Sequence, residues 1–167
     1  MVKEMEKIQF DNNLLKSIFY FNNLLDKVIM ESNDSVYKYE WYYKQTRAYD
    51  NHYIGKYYII KSQDTNISFP AIGMIFNSEI PICIWLDKDW NKNIYDYFEE
   101  HQDQIKEEKV FLDNSSIIFY MKQKEYEDFE KSEKEGQYEK LKNFFERVNK
   151  LIEKSYENIT SHRTTGA

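Results

Sequence analysis

Between Val36 and Leu86 the sequence offers four strand-like segments separated by connections too short to hold a helix. Strands joined this closely pair antiparallel with their neighbours, because a parallel pair needs a crossover of about a dozen residues or more. Tyr37, Tyr39, Trp41 and Tyr43 recur at every second position, the period of a half-buried strand. The turn-like Asp50-Asn51 closes a hairpin onto a second strand from His52 to Ile60, in which Gly55 marks a bulge. A polar loop over residues 62–66 precedes a third strand over 69–76. A turn over 77–79 leads to a fourth strand from Ile80 to Leu86, whose nearly unbroken apolar run implies burial on both faces.

Helical periodicity flanks this block. Asp11 is placed to cap a first helix in which Leu14, Ile18, Phe21, Leu25 and Val28 recur at spacings of three and four, with Leu15, Phe19 and Ile29 widening the stripe. Ile94, Tyr97, Phe98, His101 and Ile105 mark a second helix whose outer face carries Asp96, Glu99, Glu100, Asp103 and Glu107. A further strand runs from Val110 to Met121, with a turn-like interruption at residues 113–115. The rest is a long C-terminal helix, broken near Gly136, where Ser132 and Glu135 fit a capping box for a restart. Tyr138, Leu141, Phe145, Val148 and Ile152 form its apolar stripe. The expected fold class is α+β: an N-terminal helix, a four-stranded antiparallel meander, a helix, a further strand and a long C-terminal helix, with the helices mainly on one sheet face. One domain is expected over residues 1–158, with a flexible tail at 159–167.

Composition narrows the function classes. Four Gly and two Pro in 167 residues leave no interdomain hinge and no phosphate-cradling glycine loop. The net charge of −6 argues against unspecific binding to polyanions. The charge is uneven: residues 36–62 carry five Lys/Arg against two acids, whereas 87–109 carry eight acids against four Lys. The single Cys83 allows no internal disulfide and reads as an inert core thiol. A charged N-terminus and the lack of a long apolar run predict a cytoplasmic protein that does not cross a membrane.

No nucleotide, hydrolase, zinc-protease or calcium motif is present, and no catalytic residue, metal ligand or cofactor is assigned. His52, His101 and His162 are scattered. Asp87 and Asp89 follow an apolar strand but read as a strand-to-helix turn. The Glu107-Glu108-Lys109 run stands at a helix end rather than mid-strand, where a restriction-type nuclease would need it. Two segments carry interaction chemistry. The basic aromatic stretch supplies Tyr39, Trp41, Tyr43, Lys44, Arg47 and Tyr57, residue types that serve protein interfaces or stack bases and hold phosphates. The acidic helix supplies Asp96, Glu99, Glu100 and Asp103, carboxylates placed where an inhibitor would mimic phosphates. The C-terminal stripe would also suit a homodimer.

The run from Ala71-Ile72-Gly73 through Ile84-Trp85-Leu86-Asp87-Lys88-Asp89 to the segment 97–108 resembles an uncharacterised α+β module appended to predicted restriction-type endonucleases. The resemblance covers about a third of the chain and implies an accessory role in defence biology, with no catalytic residues. The functional expectation is a non-enzymatic protein-interaction module of the inhibitor, immunity or anti-defence type, or a small complex subunit. The alternative is a nucleic-acid-binding accessory module that uses the sheet over residues 36–62.

Overall fold

The computed structural model describes residues 12–31, 36–45, 52–62, 65–75 and 78–164. Helix α1 spans Asn12–Glu31 and is followed by strands β1 (Val36–Gln45), β2 (His52–Ser62), β3 (Thr65–Ser68), β4 (Ala71–Ile75) and β5 (Ile82–Asp87). Helix α2 (Lys92–Glu100) and a 3-10 turn (Gln102–Ile105) lead into the hairpin β6 (Lys109–Leu112) and β7 (Ser116–Tyr120). Helices α3 (Gln123–Lys131) and α4 (Lys134–Thr164) complete the described chain. All strand pairs are antiparallel, in the order β1-β2-β4-β5-β7-β6, with β3 paired to β2.

The expected meander is present, and its details shift for local reasons. The segment read as a polar loop runs into β3, which begins at Thr65 and pairs Ser62 with Thr65 and Ile60 with Ser68. Pro70, which lacks an N–H, separates β3 from β4, yet its carbonyl still accepts from Tyr58 N–H at 3.0 Å. Gly55 is not a bulge: the register runs unbroken through it to Tyr42 on one side and Gly73 on the other. Irregularities fall instead between Val36 and Tyr39 and between Ile60 and Lys61. Gly55 is required by a close approach. A Cβ there would stand 2.4 Å from the Ile72 carbonyl oxygen and 2.8 Å from the Trp85 ring.

The strand expected over 110–121 is a hairpin. The Asp113 carboxylate accepts the N–H groups of Ser115 and Ser116 at 2.7 and 2.9 Å, an Asx-type turn that reverses the chain. β7 then docks on β5 and leaves β6 at the sheet edge.

Two layers of core follow from strand alternation. On one face Tyr58, Ile60, Ile72, Ile84, Leu86, Ile117 and Phe119 pack with the buried residues of all four helices. The other face gathers Ala71, Ile75, Cys83, Trp85 and Ile118, also buried. The helices therefore occupy one face, and β5 is covered on both, as its apolar run predicts.

The helix layer is tied down by buried polar contacts. Tyr58 Oη donates to Asn149 Oδ1 of α4 at 2.6 Å, and Lys56, 4% exposed, pairs with Asp26 of α1. Arg147 forks across Glu108 and Glu125, joining α4 to the start of β6 and the first turn of α3. Asn91 satisfies its whole amide: Oδ1 accepts from Ser68 Oγ and Phe69 N–H, and Nδ2 donates to the Phe69 and Asp87 carbonyls. That one side chain joins the β3–β4 bend to the start of α2.

The C-terminal helices depart from expectation in three ways. The break lies at Ser132 and Glu133, not at Gly136, which falls in the first turn of α4. Ser132 Oγ bonds the Asp128 carbonyl at 2.5 Å and so closes α3 rather than opening α4. The helix also continues to Thr164, through the segment read as a tail, and Ile159 packs against the core. Tyr138, Leu141, Phe144, Phe145, Val148 and Ile152 are all buried within the chain's own core. In α1 the stripe is narrower than its pattern: Leu15 and Phe19 are exposed. Asp11 lies outside the described residues.

Candidate functional site

Large apolar side chains are exposed on α1 (Leu15, Phe19, Met30), on β6 (Phe111) and at the C-terminal end of β5, where Trp90 meets other rings. Trp90, in the turn between β5 and α2, is 61% exposed. Its ring stacks on Tyr57 of β2 with centroids 5.5 Å apart and planes 4° apart, and meets Phe69 edge-on at 6.4 Å. Tyr57 Oη donates to Asp87 Oδ2 at 3.2 Å. The turn is fixed from beneath by the buried Asn91 amide and by the N–H groups of Trp90 and Asn91, both bonded to the Asp87 carbonyl. A large aromatic side chain is thus held outward by a fully satisfied polar support rather than left on a loose loop.

The basic aromatic stretch divides. Tyr39, Trp41, Tyr43 and Lys44 lie on β1, at register positions opposite Tyr58, Lys56, Ile54 and Tyr53. Arg47 lies outside the described residues. Lys56 is buried against α1 in its ion pair with Asp26, and Tyr58 is buried against α4, where burial pushes its hydroxyl pKa well above the usual value. Neither is available to a phosphate or a base. Tyr57 is the residue of the predicted set that reaches the aromatic rim.

The acidic helix is formed as expected but ends earlier. Asp96 pairs with Lys92 at 2.6 Å, while Glu99 and Glu100 are exposed on the same helix. Asp103 is exposed on the 3-10 turn that follows. His101 caps α2, stacks on Tyr97 at 4.3 Å and bonds the Tyr97 carbonyl through Nδ1 at 2.9 Å. Asp87 precedes α2 and His101 ends it, a helix of about 13 Å apart, so Asp87, Asp89 and His101 form no common pocket. Among the described residues no group of three or more His, Cys, Asp or Glu side chains is placed to hold a metal ion. Cys83 is fully buried, and desolvation pushes its thiol pKa well up, as an inert core thiol requires.

Trp90 and Phe69 are the members of the rim that sequence patterning misses. Trp90 lies outside any period, in a turn, and its stacking partner Tyr57 is distant in sequence. A signal was present in the sequence: a Trp among polar turn residues has no core to fill.

These features define an α+β protein with an antiparallel sheet, helices on one face, and a supported aromatic rim at one end. Compared with known proteins, the chain matches no family model, and no curated protein or solved structure matches it significantly. No described helix is long and apolar enough to cross a membrane.

Proposed function

We propose that the protein is a non-enzymatic protein-interaction module, of the inhibitor, immunity or anti-defence type or a subunit of a small complex, that engages its partner through Trp90. The observation that carries this reading is the exposure of Trp90 on a built stack with Tyr57 and Phe69. Interface hot spots are enriched in Trp and Tyr because these rings offer large rigid contact area at small entropic cost. The exposed carboxylates Glu99, Glu100 and Asp103 add a surface suited to a basic partner.

The runner-up, binding of single-stranded nucleic acid, draws support from the same stack, since bases stack on aromatic rings. Its electrostatics are poor. Asp87 accepts from Tyr57 beside the stack, Asp89 is exposed in the same turn, and Lys56 is withdrawn into the helix layer.

The two readings separate in one capture experiment. Tagged protein drawn from its native cells should bring down a stoichiometric protein, and Trp90→Ala should release it while the circular dichroism spectrum and melting point stay unchanged. Recovery of nucleic acid that dissociates steeply with salt would favour the runner-up, and Lys44→Glu with Arg47→Glu should then abolish that binding.

A further inference from the structure

Strand β6 stands at one end of the sheet, and among the described residues no strand pairs with its outer edge. Phe111, at its centre, is 52% exposed, although the central strands β4, β5 and β7 are buried on both faces. The hydrogen-bond parity of the hairpin tells which backbone groups face outward. Asp113 N–H bonds the Ser116 carbonyl across the hairpin, and Met121 N–H bonds the Ile82 carbonyl on the other side of β7. In an antiparallel ladder bonded pairs alternate with non-bonded ones. Lys109 and Phe111 therefore direct their backbone groups to β7, as Asp113 does its N–H while its carbonyl accepts from Tyr95 Oη, and Val110 and Leu112 direct theirs to the outer edge.

We infer that β6 pairs antiparallel with β6 of a second copy of this chain, on a two-fold axis passing between the two Phe111 residues. This register sets Val110 opposite Leu112 of the second copy, so the outward N–H and C=O groups of both residues find partners. Phe111 faces its own counterpart at a non-bonded position, where side chains approach most closely. The same register sets Lys109 opposite Asp113 of the second copy, an attraction repeated twice by symmetry. The Asp113 carboxyl is suited to that role. Burial pushes its pKa up, but hydrogen bonds from Ser115 and Ser116 outweigh this and hold it below the usual carboxylate range. Moving the register by two residues either way sets Lys109 against Phe111 or Leu112 against itself, and the charge match is lost. A lysine at an edge strand ordinarily repels strand addition; here the opposing aspartate removes that repulsion for one partner alone.

Cross-linking tests the register directly. Cysteines replacing Phe111 would lie about 4.5 Å apart at the Cα atoms, within reach of a disulfide. Cysteines replacing Lys109 would be about 13 Å apart, beyond it. The native Cys83 is buried and does not compete. Both positions are exposed, so neither change should disturb the fold, which circular dichroism confirms for each variant. Under a mild oxidant at tens of micromolar, Phe111→Cys should yield a covalent dimer and Lys109→Cys should not. The wild-type chain should sediment as a dimer at that concentration, and Lys109→Glu should weaken the dimer about tenfold. A monomeric wild type, a dimer that Phe111→Cys fails to trap, or equal trapping of both variants would overturn the proposal.

Discussion

Single atoms decide several features of this protein. The Gly55 position has no room for a methyl group, because the obstruction is the Ile72 carbonyl oxygen and the Trp85 ring rather than a flexible chain end. Gly55→Ala should lower the unfolding free energy by about 2 to 3 kcal/mol in a denaturant titration, as overpacking does in a tight core. A shift of less than about half a kcal/mol would mean that Trp85 moves aside freely. Tyr58→Phe removes one oxygen and leaves the buried Asn149 Oδ1 without its donor. Its cost should be about 1 to 3 kcal/mol, and Tyr58→Phe combined with Asn149→Leu should recover part of it. The sequence singles out Gly55 but suggests a bulge, and it does not distinguish Tyr58 from its tyrosine neighbours. Gly in a strand has several meanings, and only the neighbour across the sheet tells them apart.

At the scale of elements, Arg147 is the junction. Glu125 accepts the Lys122 N–H at 2.9 Å and so caps α3, while its carboxylate also takes the Arg147 guanidinium. Burial pushes the Glu125 pKa up, but the Arg147 and Lys122 hydrogen bonds prevail and hold it below its usual value. A carboxyl depressed in the folded state contributes stability above its unfolded pKa and loses it as pH falls through the folded one. Glu125→Gln should therefore lower the melting temperature at pH 7, and the gap to wild type should close below about pH 4. A gap that stays constant down to pH 2 would contradict this assignment. Arg147→Met should be worse than Glu125→Gln, by about 2 to 3 kcal/mol in total, because Glu108, 8% exposed, would keep its charge with one weak partner, Lys122 at 3.9 Å.

Elements were legible in the sequence where one period ran long. The alternation from Val36 and the apolar run of β5 located strands because each spans several residues with one kind of neighbour. The stripe of α4 was legible for the same reason. β3 was missed because Thr65-Asn66-Ile67-Ser68 is polar, and its strand character comes from pairing with β2. The break before α4 was misplaced by four residues because glycine suggested it, whereas the contacts of Ser132 made it. Likewise α2 stops at Glu100 while its apolar period runs on to Ile105, carried there by a 3-10 turn.

For the whole molecule, the question left open by patterning was whether the tyrosine-rich sheet is core or surface. The described side chains of that stretch answer it in part: Tyr58 and Lys56 face helices, Tyr57 is half-buried, and β4, β5 and β7 beyond them are buried on both sides. Among the described residues of the sheet and its turns, large apolar side chains are exposed at a rim, where Tyr57 supports Trp90, and at an edge, where Phe111 stands on β6. The candidate site was half legible. Tyr57 and the exposed carboxylates of α2 could be named in advance, because composition and helical period mark them. Trp90 could not, because its role depends on a stack formed by residues 33 positions apart in the chain.

The most direct test of the proposed interaction surface is the affinity of the captured partner for wild type and Trp90→Ala, measured by calorimetry on proteins with matched melting temperatures. A recognition surface centred on this ring predicts a loss of about 2 kcal/mol or more, roughly thirtyfold in Kd. Equal affinities for the two proteins would contradict it and place the partner elsewhere on the molecule.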